Sequence, residues 1–430
     1  MAHVVHLGPF RLDKPIDKGA MGEVWSGMHV EQNVPVAVKV LSSEAARDEE
    51  SRANFRNEMR HVAGLDHPGI ITVFDHGVID HSASLASEGA LPQGSPYLVM
   101  ELAANGSLAN IKRPYQWDEL RGILVALLDA LAHAHARGVI HRDLKPQNVL
   151  IISKSLLKLS DFGIAHALDV HTRSGTLHSI SGTVHYMAPE QILGHWRDYG
   201  PWTDLYGLGC LAYKLATGRA PFHDHKGRAV LRAHFKETPN PLKPRAFVPA
   251  GFAEWVSRLM EKDRRKRFPR AADAAWALIR LGELGPDQPT EEVETETTPA
   301  GSRLIPTLED AGSSATSLVF RRDDSDRDAP LRIFVGALAP DSPPLPISWR
   351  RRVAPRPTPQ LVGTGLGLYG VRSIPLVDRQ DERDVIWQTF RKVVGDRTAR
   401  CVFLQGAAGT GKTRLMQWVC ERAHEVGSAL

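Results

Sequence analysis

A chain of 430 residues, 42% hydrophobic and 24% charged, has the balance of a globular protein with room for two or three domains. Its formal charge of +4 is the mild excess of a solvated surface and argues against a nucleic-acid partner. Its three cysteines lack metal-ligand spacing, which excludes a disulfide framework and fits a reducing, cytoplasmic setting; without a basic leader or a run near eighteen apolar residues, neither export nor a membrane segment is expected.

In chain order, VPVAVKVL (Val34 to Leu41) alternates and is β-branched, and PYLVMEL (Pro96 to Leu102) is a second apolar run bounded by loop residues, so both predict strands. Between them, NFRNEMRHVAGL sets Phe55, Met59, Val62 and Ala63 at helical spacing. From Trp117 helix takes over with WDELRGILVALLDALAHAHARG, whose closing Gly138 reads as a C-cap. Residues 10–282 thus predict one α+β unit, a strand-rich lobe followed by a larger helical one. Across 283–372 the composition turns to Pro, Thr and charge (PDQPTEEVETETTPAGS, RRDDSDRD, RRRVAPRPTPQ), the signature of a flexible linker. Within it, LRIFVGAL (Leu331 to Leu338) could form an isolated strand, although the linker reading is preferred. GTGLGLYG neither follows a clear strand nor opens a helix, and is read as linker too. In 373–430, ERDVIWQTFRKVV predicts an amphipathic helix, CVFL a buried strand, and RLMQWVCERAHEV a second helix.

Chemistry concentrates in VIHRDLKPQNVLI, Val139 to Ile151, which sets an acid, a cation and an amide on one tight loop between apolar flanks. Phosphoryl transfer to a hydroxyl needs alignment of the attacking oxygen and neutralisation of phosphate charge more than covalent help. Asp143 can accept the hydroxyl's hydrogen bond, Lys145 can sit against the transferring phosphate, and Asn148 can hold a divalent ion. The run HRDLKPQN resembles the catalytic loop of eukaryotic-type Ser/Thr protein kinases, found also in bacteria. Partner motifs follow in that family's order, and the resemblance implies a bilobal kinase fold, ATP and Mg²⁺ as cofactors, and a protein Ser/Thr hydroxyl as acceptor.

On that resemblance, IDKGAMGEVW is similar to the glycine-rich loop over the nucleotide phosphates, with Gly19, Gly22 and Val24 in place and Asp17 where the family has its first glycine. In VAVK, Ala37 would border the nucleotide and Lys39 would pair with its phosphates, held by Glu58. Met100 takes the gatekeeper position, and Glu101 and Ala103 would offer backbone groups to adenine. SDFG supplies Asp161, which with Asn148 would chelate magnesium. Glu190, Arg267 and Asp204 match the family's structural brace: a buried ion pair and an aspartate behind the catalytic loop. Lys145 and SGTVHYMAPE resemble the Ser/Thr branch, with Thr183 shaping the acceptor site. Arg142 beside Asp143 implies self-phosphorylation of the activation segment at one or more of Thr172, Ser174, Thr176, Ser179 and Ser181, with Thr176 favoured.

A second motif stands far downstream. GAAGTGKT satisfies a Walker-A pattern, in which loop N–H groups from Gly406 to Gly411 cradle phosphate, Lys412 reaches the outer phosphates and Thr413 ligates magnesium. The preceding residues resemble the approach to ATPase modules joined to bacterial kinase domains, so 373–430 is expected to be the first part of such a module, cut short. Two other readings are a pseudokinase scaffold and a sensor for the ATPase; Lys39, Asp143, Asn148 and Asp161 together oppose the first.

Overall fold

The computed structural model describes residues 5–19, 22–41, 49, 55, 59, 62–153, 156–162, 183–281, 343–350, 359, 361–365, 368, 376 and 378–428. Six strands build the first lobe: β1 (Val5–Leu7), β2 (Phe10–Gly19), β3 (Gly22–His29), β4 (Val34–Leu41), β5 (Val73–Val78) and β6 (Pro96–Glu101). They form one antiparallel sheet in the order β1-β2-β3-β4-β6-β5. The β-branched run of β4 lies at the centre, and Val36, Val38 and Val40 are buried on one face while Ala37 and Leu41 join the main core on the other, the alternation a strand covered on both sides requires. Phe55, Met59, Val62 and Ala63 are helical and buried against this second face, as their spacing predicts. A short helix, α1 (His81–Ala86), capped by the Asp80 carboxylate, fills the loop before β6.

The second lobe is helical and organised on α2 (Trp117–His135), whose Leu120, Leu124, Leu127, Leu128 and Leu131 are buried. The chain leaves α2 through Gly138 at φ +72°, where Val139 N–H donates to Ala134 O, so the predicted glycine terminator is present a few residues past the last helical turn. A hairpin of β7 (Val149–Ser153) and β8 (Leu156–Leu159) follows, then α3 (Pro189–Ile192), α4 (Pro201–Thr217), α5 (Arg228–Lys236), α6 (Phe252–Leu259) and α7 (Ala271–Arg280). One apolar core runs from Ala37 and Met100 of the sheet through α2 to α4, α6 and α7, and so fastens both lobes to the same helix.

Two helices of the C-terminal part form as expected, α8 (Gln380–Asp396) and α9 (Lys412–Glu425). The buried strand expected at Cys401–Leu404 does not form. These residues have no strand pairing, and Val402 and Phe403 are 43% and 82% exposed; an apolar run becomes a strand only where a neighbouring strand can take its backbone hydrogen bonds, and no strand follows β8 among the described residues. Two leucines of the segment read as linker are packed against the folded lobes. Leu361 is buried in the outer core of the first lobe and Leu368 in the main core, while Val362 N–H donates to Gln32 Oε1 at 2.8 Å. Leu331 to Leu338 lies outside the described residues.

Candidate active site

The loop between α2 and β7 is held from behind. Asp204, fully buried in the first turn of α4, accepts from His141 N–H at 2.8 Å, Arg142 N–H at 2.7 Å and the His135 ring at 2.8 Å. Gln191 of α3 donates to Arg142 O at 2.7 Å. These contacts hold Arg142 at φ +66°, a strained conformation for a side-chain-bearing residue that persists only where its surroundings over-determine it. His141 has its own fixed role: Nδ1 accepts from Asp143 N–H and Nε2 faces Ser160 O at 2.9 Å. That pairing requires a neutral ring protonated on Nε2. Burial, the largest influence, holds its pKa below the ordinary 6.5 against the pull of Asp204, Asp143 and Asp161.

On this frame Asp143 presents two unequal oxygens. Oδ2 accepts from Lys145 Nζ at 2.7 Å and from the Asn148 amide at 3.0 Å, whereas Oδ1 is buried with no hydrogen-bond partner. Asn148 is buried and also donates to Asp143 O at 2.8 Å, so its amide oxygen is left as the atom to ligate a cation. Pro146, rigid at the start of the single 3₁₀ turn Pro146–Asn148, sets the return of the chain towards β7.

Asp161, just beyond β8 and at φ +59°, accepts from Lys39 Nζ at 2.6 Å. Burial alone would raise the pKa of this carboxyl; the charge and hydrogen bond of Lys39, with Lys145 and His141 adding, take it below the ordinary 3.8. An ionised carboxylate and an amide oxygen on adjoining segments are the two protein ligands a magnesium ion bound chiefly to phosphate and water would need, so the residues fit that ion.

The strands supply the roof. Val24 of β3 lies across from Lys39 of β4, and Ala37 lies across from Met100 of β6. Gly19 and Gly22 are the last paired residues of the β2–β3 hairpin, and a Cβ on Gly22 would stand 2.2 Å from Val40 O, which makes glycine obligatory there. Asp17, where the resemblance calls for glycine, pairs with Val24 and caps Lys18 N–H with its carboxylate at 2.8 Å. Glu101 ends β6; its N–H is taken by Thr72 O and its side chain by Lys158 at 2.6 Å. Ala103 stands two residues further on, its carbonyl accepting from Gly106 N–H at 3.3 Å. Glu58, Gly163, the five candidate hydroxyls from Thr172 to Ser181 and the side chain of Thr183 lie outside the described residues.

The structural brace is also in place. Arg267, fully buried, makes a two-pronged pair with Glu190 at 2.7 and 3.0 Å, and Thr203 Oγ1 donates to the same carboxylate at 2.9 Å. Sequence reasoning missed His135, Gln191 and the tautomer-fixing pair around His141. HAHARG places two histidines on a helix end that looks like ordinary surface, and only the approach of α4 explains the second.

The downstream loop is separate from this centre. Gly409 and Gly411 take φ +80° and +82°, and Lys412 Nζ curls back onto Gly406 O at 2.8 Å and Ala407 O at 2.7 Å. Thr413 is exposed on the first turn of α9.

Residues 10–275 match the family model described as "Protein kinase domain". The chain is 35% identical over 339 residues to the serine/threonine-protein kinase PknA of Mycobacterium tuberculosis, a match covering 76% of this chain and 75% of that one. It is 36% identical over 280 residues to the serine/threonine-protein kinase Pkn1 of Myxococcus xanthus, covering 64% and 38% of the two chains.

Proposed function

The chain belongs to the protein kinase family and is a serine/threonine protein kinase acting on protein substrates, and from that premise we propose how its residues divide the reaction. Asp143 is the catalytic acid–base group: Oδ1 accepts the hydrogen of the acceptor hydroxyl as the hydroxyl oxygen attacks the γ-phosphorus of ATP and the bond to the β-phosphate oxygen breaks. The observation that carries this is the inequality of its oxygens, one held by Lys145 and Asn148, the other buried without a partner. Lys145 offsets charge on the transferring group, Lys39 faces the inner phosphates, and Gly19, Gly22 and Val24 cover them, with Ala37, Glu101 and Ala103 about the adenine. Magnesium, when bound at Asp161 and Asn148, neutralises phosphate charge. Asp143→Asn should reduce transfer from Mg-ATP to a degenerate Ser/Thr peptide library by about 10²- to 10⁴-fold while a fluorescent nucleotide still binds. Equal incorporation by both chains would remove this assignment.

Self-phosphorylation between Thr172 and Ser181, with Thr176 favoured, belongs to the same reading. It is supported by Arg142, whose Nε is buried without a partner and whose guanidinium lies 5.6 Å over the Tyr199 ring, a cation beside the catalytic loop that a phosphate can pair. We further read 10–282 as the kinase domain, 283–372 as a linker and 373–430 as the opening of a P-loop ATPase module in a cytoplasmic protein. The positive-φ glycines and the inward-curled Lys412 support a phosphate cradle at the N-terminus of α9. The four intact catalytic positions weigh against a pseudokinase scaffold.

A further inference from the structure

A cavity of about 580 Å³ opens beside the catalytic loop, with Pro146 and Gln147 in one wall. Lys112 and Arg113, Lys214 and Arg219 at and just past the end of α4, and Arg245 also line it. Among the described residues that line it there is no Asp or Glu. Five cations and two histidines, His185 and His223, therefore face one concave space.

Simple surface charge does not account for them. Arg113 is answered by Glu119 at 2.5 Å and His223 by Asp224 at 3.0 Å, but Lys112, Lys214, Arg219 and Arg245 have no ion pair among the described residues. Lys214 caps α4 by donating to Gly218 O at 2.7 Å, which explains its position but not its neighbours. Gly218, at φ +79°, has no side chain to displace Arg245, whose guanidinium would lie 2.9 Å from a Cβ there and reaches Lys112 O at 3.4 Å. His185 carries a buried Nδ1 with no partner. Burial first, then the charges of Lys112 and Arg245, hold the Lys214 pKa below its ordinary 10.5, as expected where cations converge without an anion.

We propose that this cavity is a specificity site for acidic side chains of the protein substrate, taking one or more Asp or Glu residues close in sequence to the acceptor Ser or Thr. Pro146 is the third residue after Asp143, so the wall begins within about 11 Å of chain from the acid–base group. An extended substrate covers that span in roughly three or four residues. The inference rests on the kinase reading above and adds to it the charge class of the substrate.

The test uses the full chain, Mg-ATP and matched peptides with a single acceptor and Glu, Gln or Lys at the flanking positions. Glu peptides should exceed Gln peptides in kcat/KM by about fivefold and Lys peptides by more, with the advantage shrinking as salt is raised. Lys214→Glu with Arg245→Glu should reverse the order; the exposed Arg219→Glu, checked for folding by circular dichroism, gives a milder shift in the same direction. Wild-type preference for Lys peptides, or transfer indifferent to charge, would overturn this inference and leave the kinase reading standing. Failure to phosphorylate any peptide, including a degenerate Ser/Thr library, would overturn both.

Discussion

At the scale of single residues, charge state is set by burial and partner together, and the two do not always agree. Asp161 stays ionised because Lys39 outweighs its desolvation, whereas His133, His141 and His234 are left neutral. Burial drives His133 down to about 4, even though Glu425 pulls in the opposite direction, and drives His234 to about 3; His141 moves the same way. In the unfolded chain these rings take up a proton near pH 6.5, and in the native chain they do not. Stability is therefore full above about pH 6.5 and falls as pH drops towards about 4, because the unfolded state binds more protons in that window. Urea midpoints should decline steadily between about pH 7 and about pH 5, and His133→Gln should flatten part of the decline. A midpoint unchanged over that range would mean the rings are protonated in the native state. Sequence alone marked Asp143, Asn148 and Asp161, since their spacing is the chemistry. It could not assign the His141 tautomer, which depends on Asp143 N–H and Ser160 O arriving from different segments.

At the scale of elements, α4 and the segment before α7 act as the clamp for the site. Asp204 gathers the catalytic loop, and Arg267 ties α3 to the start of α4 through Glu190 and Trp202 O at 3.0 Å. The pair is buried at both ends, with Arg267 also stacked 4.8 Å from the Tyr206 ring. Removing one partner leaves an uncompensated charge in the core, so Arg267→Ala should cost about 3–5 kcal/mol in chemical denaturation. Arg267→Lys should recover only part, because an ammonium cannot reproduce the two-pronged contact. A loss under about 1 kcal/mol would show that Glu190 finds another donor or water. The pair was legible as a family feature in YMAPEQ and KDRRKRFP, but its distance of 77 residues along the chain hides it from any local pattern.

At the scale of the whole molecule, the C-terminal helix rests on the rear of the kinase lobe. Glu425 of α9 is buried against α2, 2.9 Å from the His133 ring and 2.6 Å from Arg137, with Glu421 3.0 Å from Arg137. Trp349, stacked edge-on to Trp418 at 5.3 Å and bonded to Asp384 at 2.6 Å, joins α8 and α9 to the chain that precedes them. Glu425→Ala removes the carboxylate that the His133 ring and the Arg137 guanidinium both contact, at a cost of about 1–3 kcal/mol. The expected result is faster hydrogen exchange in α9 with exchange in α2 little changed; unaltered exchange in α9 would show that the helix is held by its apolar face alone.

The two lobes, the order of their motifs and the candidate acid, amide and lysine positions are legible along the chain, because apolar periodicity and fixed spacing are local properties written residue by residue. The fate of apolar stretches that need a distant partner is settled by packing: Cys401–Leu404 has no strand to pair with among the described residues, and Leu361 and Leu368 of the segment read as linker are buried. The same holds for charge. Lys112, Lys214 and Arg245 are unremarkable surface cations along the chain, and it is the packing of three separate segments that turns them towards one cavity, where their uncompensated charge becomes a demand for an anion.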